Sequence, residues 1–333
     1  LTAEPPDMEY TTLGNTGLHV SVAGLGAGGF SRIGQGTGKT EAESISIVRQ
    51  ALDLGVNFID TAASYGTESI IGKALKGIDR DAFVISTKAT VGSKKSNGDG
   101  ADSGLRSPEN VVASLDNSLR NLGLDCIDVF HLHRVLPETY TYARDVLVPA
   151  LAIEQRKGKF KFLGITEAPE DKHHESLNQA INEDCYTVIM VAYSMLNQSA
   201  RTQLFQKTLD KGIGVLIMFA VRLLFSEPGR LNRVIGELVD QGRLPAEIMN
   251  DGGPLGFLIH ENGALNIVDA AYRYCRHTIG TDVVLFGTGN PDHVQANVES
   301  ILRPPLPAKD VERLESIFGA LTGIGLDRPG KSS

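Results

Sequence analysis

From residue 22 onward, short apolar runs alternate with longer stretches whose apolar positions recur at helical spacing, a pattern that predicts repeated strand-helix units. The runs expected as strands are 23–25, 57–60, 83–87, 127–132, 162–165, 188–192, 214–218 and 283–286, with helices over 41–54, 108–121, 143–157, 201–211 and 265–276. Ser107-Pro108 marks one helix start, with serine as N-cap and proline in the first turn. Eight alternations with no interrupting linker fit a (β/α)8 TIM barrel better than two Rossmann halves. Ahead of them, residues 10–14 and 18–21 flank Asn15-Thr16-Gly17 and read as a β-hairpin. The expectation is a single domain over 1–333, with a hairpin cap at 10–21, the barrel at 22–301 and a C-terminal segment at 302–333. Two polar insertions, 92–106 and 222–263, follow strand ends and would overhang the mouth of such a barrel; the second includes a helical piece around 231–240.

Composition narrows the partners. The chain has 333 residues, 41% hydrophobic and 22% charged, enough apolar material for a sizeable core. A net charge of −8 argues against nucleic acid or an anionic membrane, both of which reward a basic face. The three cysteines, Cys126, Cys185 and Cys275, show no CxxC spacing and sit in apolar or helical stretches, so buried free thiols are expected. The acidic, proline-containing start lacks the basic-then-apolar form of a signal peptide, and a cytoplasmic location is the expectation. A closed barrel satisfies all its strands internally, which makes a monomer the default.

Three consecutive strands end in chemistry. The run 57–60 delivers Asp60 and, five residues on, Tyr65; 83–87 delivers Lys88; 127–132 delivers His133. In a parallel barrel these positions lie at the C-terminal mouth, where active sites are built. Each residue alone reads blandly, since a strand-end lysine is usually solvated and a lone histidine usually structural. Together they form an acid-base set. His131, two residues before His133, faces the same side by period two and reads as one layer deeper. Two glycine-rich stretches carry less. Gly24 to Gly29 satisfies GxGxxG, yet a loop follows instead of a helix, and no acidic residue ends a second strand about 20 residues on. Gly34 to Thr40 nearly spells a phosphate-binding loop, but Ile33 stands where its first glycine is required.

The order Asp60, Tyr65, Lys88, His133 resembles the aldo-keto reductases, and the likeness extends over about residues 10–320. It implies a hairpin closing the barrel bottom and hydride transfer between a nicotinamide and an aldehyde or ketone, or the corresponding alcohol, including sugar or secondary-metabolite carbonyls. In that scheme Tyr65 is the acid in reduction and the base in oxidation, Lys88 favours its phenolate, Asp60 holds Lys88, and His133 fixes the carbonyl. The resemblance also assigns Gly26, Ala27, Gly28 and Asp60 to the cofactor. Thr166 and Glu167 fall where the family has a Ser-Asn pair for the carboxamide, Met190 where it has Gln, and Phe219 where an aromatic residue stacks on nicotinamide. Gly287, Thr288, Gly289, Asn290, His293 and Asn297 match the adenosine-phosphate loop and the helix after it. The Lys and Arg that many NADP-dependent members carry there are missing, so NADP is listed first with NAD as alternative; Arg222 and Arg276 are the first other cations to consider. Phe30, Tyr65, His133, Arg134 and Phe225 are the expected substrate-pocket residues. A cofactor-binding redox sensor or regulatory subunit of the same fold, with little turnover, is the alternative function.

Overall fold

A computed structural model describes residues 7–92, 104–250 and 252–326. Strands β1 (Tyr10–Thr12) and β2 (His19–Ser21) pair antiparallel as the hairpin. Eight further strands close into a barrel: β3 (Ala23–Gly26), β4 (Phe58–Asp60), β5 (Val84–Thr90), β6 (Ile127–Val135), β7 (Phe160–Glu167), β8 (Val188–Ala192), β9 (Gly214–Met218) and β10 (Val283–Phe286). Each pairs parallel with its neighbours in chain order, and β10 closes onto β3. This is the (β/α)8 architecture expected.

Alternation along each strand sorts side chains between two layers. Phe58, Val84, Val129, Val188, Leu216 and Val283 fill the barrel interior, whereas Ile59, Ile85, Phe130, Leu132, Ile189 and Ile217 face the helices. The hairpin plugs the bottom, with Leu13 and Val20 buried in the interior cluster, each such burial contributing about 2 kcal/mol. Its turn is pressed onto β9: Asn15 N donates to Gly212 O at 2.7 Å, and a Cβ on Gly14, at φ +47°, would fall 2.3 Å from Gly214 N. Only glycine fits there.

Several elements differ from the sequence expectation. Strands β6 and β7 run past 132 and 165, because their mouth ends carry polar residues that hide the pattern. The stretch 201–211 is two short helices, Ser199–Gln203 and Phe205–Lys211, broken at Leu204. Ahead of Val148–Arg156 the helix widens to a π turn at Ala143–Leu147, beside Pro149, which has no N–H for the regular ladder. The insertion at 92–106 falls mostly outside the described residues. That at 222–263 holds the helix Arg230–Asp240 and shorter turns. The three cysteines are free as expected, but only Cys275 is buried; Cys126 and Cys185 are partly exposed. Among the described residues no helix is long and apolar enough to cross a membrane.

Candidate active site

Period two turns Asp60, Ser86, Lys88, His131 and His133 into the barrel, above the apolar interior. Lys88 is fully buried and its ammonium uses all three donors: 2.6 and 2.7 Å to the two Asp60 carboxylate oxygens and 2.7 Å to Thr61 O. Ser86 Oγ donates to Asp60 Oδ1 at 2.7 Å. Burial pushes the Asp60 carboxyl up, while Lys88 and Ser86 pull it back. A charge pair this deep survives because its donors and acceptors are matched; removing one partner costs about 3–5 kcal/mol.

Tyr65 sits on a turn, Ala63–Tyr65, that Gly66 ends in the left-handed region. Its ring lies against the backbone after β3, where a Cβ on Gly28 would come within 2.4 Å of it. Lys88 Nζ is 5.2 Å from the ring centroid, and the hydroxyl is 3.5 Å from His133 Nε2, the two rings meeting edge to face. The sequence leads one to expect a phenol eased toward ionisation. Lys88, Arg222 and Arg134 do pull in that direction, but burial outweighs them and the Tyr65 hydroxyl is held above its ordinary value. His133 is held well below the ordinary imidazole range, first by burial and then by Lys88 and Arg134. It is therefore a neutral hydrogen-bonding group near neutral pH. His131 lies beside Lys88 in the strand register, fully buried against Gly164, where a Cβ would come within 2.3 Å of its Nδ1.

A cavity of about 870 Å³ opens in front of this set. Gly26, Gly28, Phe30, Asp60 and Tyr65 line it from the ends of β3 and β4 and the loops after them, and Met190, Phe219 and Phe225 from β8 and the loop after β9. Gly287, Thr288, Gly289, His293 and Asn297 line it from the loop after β10 and the start of the helix Asp292–Leu302. Asn290 shapes that loop, exchanging backbone hydrogen bonds with the Thr288 hydroxyl. Ala27 is buried, its N–H given to Asp60 O.

Other expected residues are engaged elsewhere. Glu167 accepts from Ala192 N at 2.9 Å and bonds His174 Nδ1, whose Nε2 is 2.8 Å from Ser199 Oγ. Both of its carboxylate oxygens are thus committed within the protein. Thr166 Oγ1 accepts from Arg134 N at 2.8 Å, and Met190 offers only a thioether. Arg134 follows His133 with φ +58° at a register shift between β6 and β7, and its guanidinium pairs with Glu170 at 3.1 Å. It reaches over the loop after β7 rather than lining the cavity. Arg276 pairs with Glu9 away from the cleft. Arg222, by contrast, lines the cavity between Phe30 and Phe219. Tyr272 and Asn266, from the helix Ile267–His277 and its cap, also line it and carry no sequence signal beyond that helix start.

The fold and site define a (β/α)8 protein with a buried carboxylate-lysine pair behind a phenol at its C-terminal mouth. The family model described as the aldo/keto reductase family matches residues 24–318, and the chain belongs to that family. It is 33% identical over 215 residues to an L-galactose dehydrogenase of Arabidopsis thaliana, a match spanning 63% of this chain and 64% of that protein. Its fold is similar to that of the aldo-keto reductase AKR11C1 from Bacillus halodurans. The TM-score is 0.72 for the holo form and 0.69 for the apo form, each at 23% identity and covering 96% of this chain and 100% of the other.

Proposed function

We propose that this protein is an NAD(P)-dependent oxidoreductase that interconverts a small carbonyl compound and its alcohol. The observation that carries the reading is the grouping of Tyr65, Lys88, Asp60 and His133, of which Asp60 and Tyr65 line the cleft. The cleft fits a dinucleotide: a proton-transfer set, an aromatic wall at Phe219, and a glycine-rich loop leading into a helix N-terminus. Bound there, a nicotinamide supplies the hydride donor or acceptor. Tyr65 gives its proton to the carbonyl oxygen as negative charge develops, and Lys88 stabilises the resulting phenolate. Asp60 keeps Lys88 charged and oriented, and the neutral His133 positions the carbonyl oxygen against the phenol.

The substrate class we favour is an aldose or similar hydroxy-carbonyl compound, in line with the relative named an L-galactose dehydrogenase. NADP is favoured as cofactor, with NAD as the alternative, since backbone amides with Thr288, Asn290 and Asn297 can hold a phosphate without a cation. Nicotinamide absorbance followed with both cofactors and a panel of aldoses and simple aldehydes tests the reading; no turnover in either direction would reject it. A second reading, a cofactor-binding sensor with little turnover, draws on Glu167, Thr166 and Met190, whose side chains are committed internally or apolar. Tight cofactor binding without turnover on the panel would favour it.

A further inference from the structure

Arg222 is placed unusually for a cation beside a dinucleotide cleft. It follows Phe219 by three residues on the loop after β9 and turns back over it, its guanidinium carbon 3.7 Å from the Phe219 ring centroid. The same carbon is 5.2 Å from the centroid of Phe30, on the loop after β3. A Cβ on Gly29 would come within 3.2 Å of Arg222 Nη1, so the head group also packs on backbone of the β3 loop. One planar cation thus bridges two aromatic side chains from separate strand ends. Phe219 stands at φ +70°, a left-handed conformation that costs a bulky side chain about 1 kcal/mol or more. Strain of that kind persists only where the surroundings fix the ring.

A separation of 3.7 Å is the thickness of one stacked planar group. Phe30, Phe219 and Arg222 all line the same cavity, and the Phe219 face under the guanidinium is closed to any other planar group. That is the side on which a nicotinamide ring would stack. One face cannot hold both.

We propose that Arg222 is an internal occupant of the nicotinamide seat on Phe219, displaced when the cofactor binds. The proposal rests on the cleft being a nicotinamide site. A cofactor that needs the seat open binds with an apparent affinity reduced by the open fraction, so removing the occupant raises affinity. The sign is opposite to that of an arginine that holds the pyrophosphate.

Equilibrium titration with NADPH, read by its own fluorescence, tests this directly, and the chain has no tryptophan to contribute indole emission. Arg222→Ala should bind NADPH about tenfold more tightly than the wild type, as for a seat open about a tenth of the time. Arg222→Lys, which keeps the charge and loses the plane, should fall between. Adenosine 2′,5′-bisphosphate has no nicotinamide and should bind all three proteins alike. In stopped flow, the wild-type binding rate should level off with rising NADPH, and that of Arg222→Ala should stay linear. Unchanged or weaker NADPH binding by Arg222→Ala overturns the proposal and leaves the cleft assignment standing. Failure of every protein to bind NADPH overturns the cleft assignment and the proposal with it.

Discussion

The mouth of the barrel is built in two styles. On the β4–β6 side the polar groups around Tyr65 support one another: Ser86 holds Asp60, Asp60 holds Lys88, Lys88 lies behind Tyr65, and Tyr65 meets His133. On the β7–β9 side the polar groups are spent within the protein. Glu167 is tied to Ala192 N and His174, Thr166 receives Arg134 N, Met190 is apolar, and Arg222 stacks on Phe219. On the proposed function the contrast has a chemical source. Moving a proton demands groups of particular acidity at fixed separation, whereas seating a flat ring demands shape and an aromatic face. Residue types are therefore constrained tightly on one side and loosely on the other.

The largest test strikes the constrained side. Tyr65→Phe should lower carbonyl reduction by about a hundredfold or more while cofactor binding stays near wild type. Lys88→Met should match it in rate and also lower thermal stability, because it leaves Asp60 buried without its counter-charge. The raised Tyr65 hydroxyl keeps the phenol protonated through neutral pH. Reduction should then be flat with pH until it falls on the alkaline side, and oxidation should rise with pH over the same range. Near-wild-type turnover in Tyr65→Phe would remove the tyrosine from the mechanism.

The second test separates two histidines on one strand. His133→Ala should reduce turnover about ten- to a hundredfold, since it removes the group facing the Tyr65 hydroxyl. His131→Ala should chiefly lower the melting temperature, through the cavity it leaves against Gly164, by about 2 kcal/mol or more. The opposite ranking in kinetics would place the working imidazole one layer deeper than the structure indicates.

The same contrast explains what could be read from the sequence. Strand ends bearing Asp60, Lys88 and His133 were legible because period two and residue type act locally, and all eight barrel strands followed from the alternation. The partners on the β7–β9 side are not local. His174 reaches Glu167 from a left-handed N-cap, and Ser199 comes from the following unit. Arg222 meets Phe30 only because the barrel closes. Arg134 was placed at the correct strand end, but its direction depends on the register shift beside it and on Glu170, and neither has a sequence signature.

A smaller test addresses the internal network. His174→Ala would leave Glu167 buried with Ala192 N as its remaining donor, costing about 2 kcal/mol of stability. Burial holds the Glu167 carboxyl above its ordinary value, and His174 is what pulls it back. Without His174, the folded protein takes a proton at Glu167 still more readily than the wild type does. The loss should therefore be least in acid and grow as pH rises through the Glu167 titration. Thermal melts of both proteins across that range check it; a loss independent of pH would mean that Glu167 does not depend on His174 for its charge.

The smallest effect is expected in the part of the cleft where the loop after β10 presents Thr288 and His293 but no lysine or arginine. A 2′-phosphate carries close to two negative charges and favours the bidentate contact of a guanidinium over a single imidazole nitrogen. His293 is exposed at the start of the helix Asp292–Leu302, so solvent screens any pair formed there. His293→Arg should raise NADP affinity by about fivefold and leave NAD affinity unchanged. Because the pair is screened, the gain should shrink as salt is added. Titrating both oxidised cofactors at low and high salt measures it. An equal gain for NAD would show that the new charge acts on the pyrophosphate, and no gain would place the adenosine phosphate beyond reach of position 293.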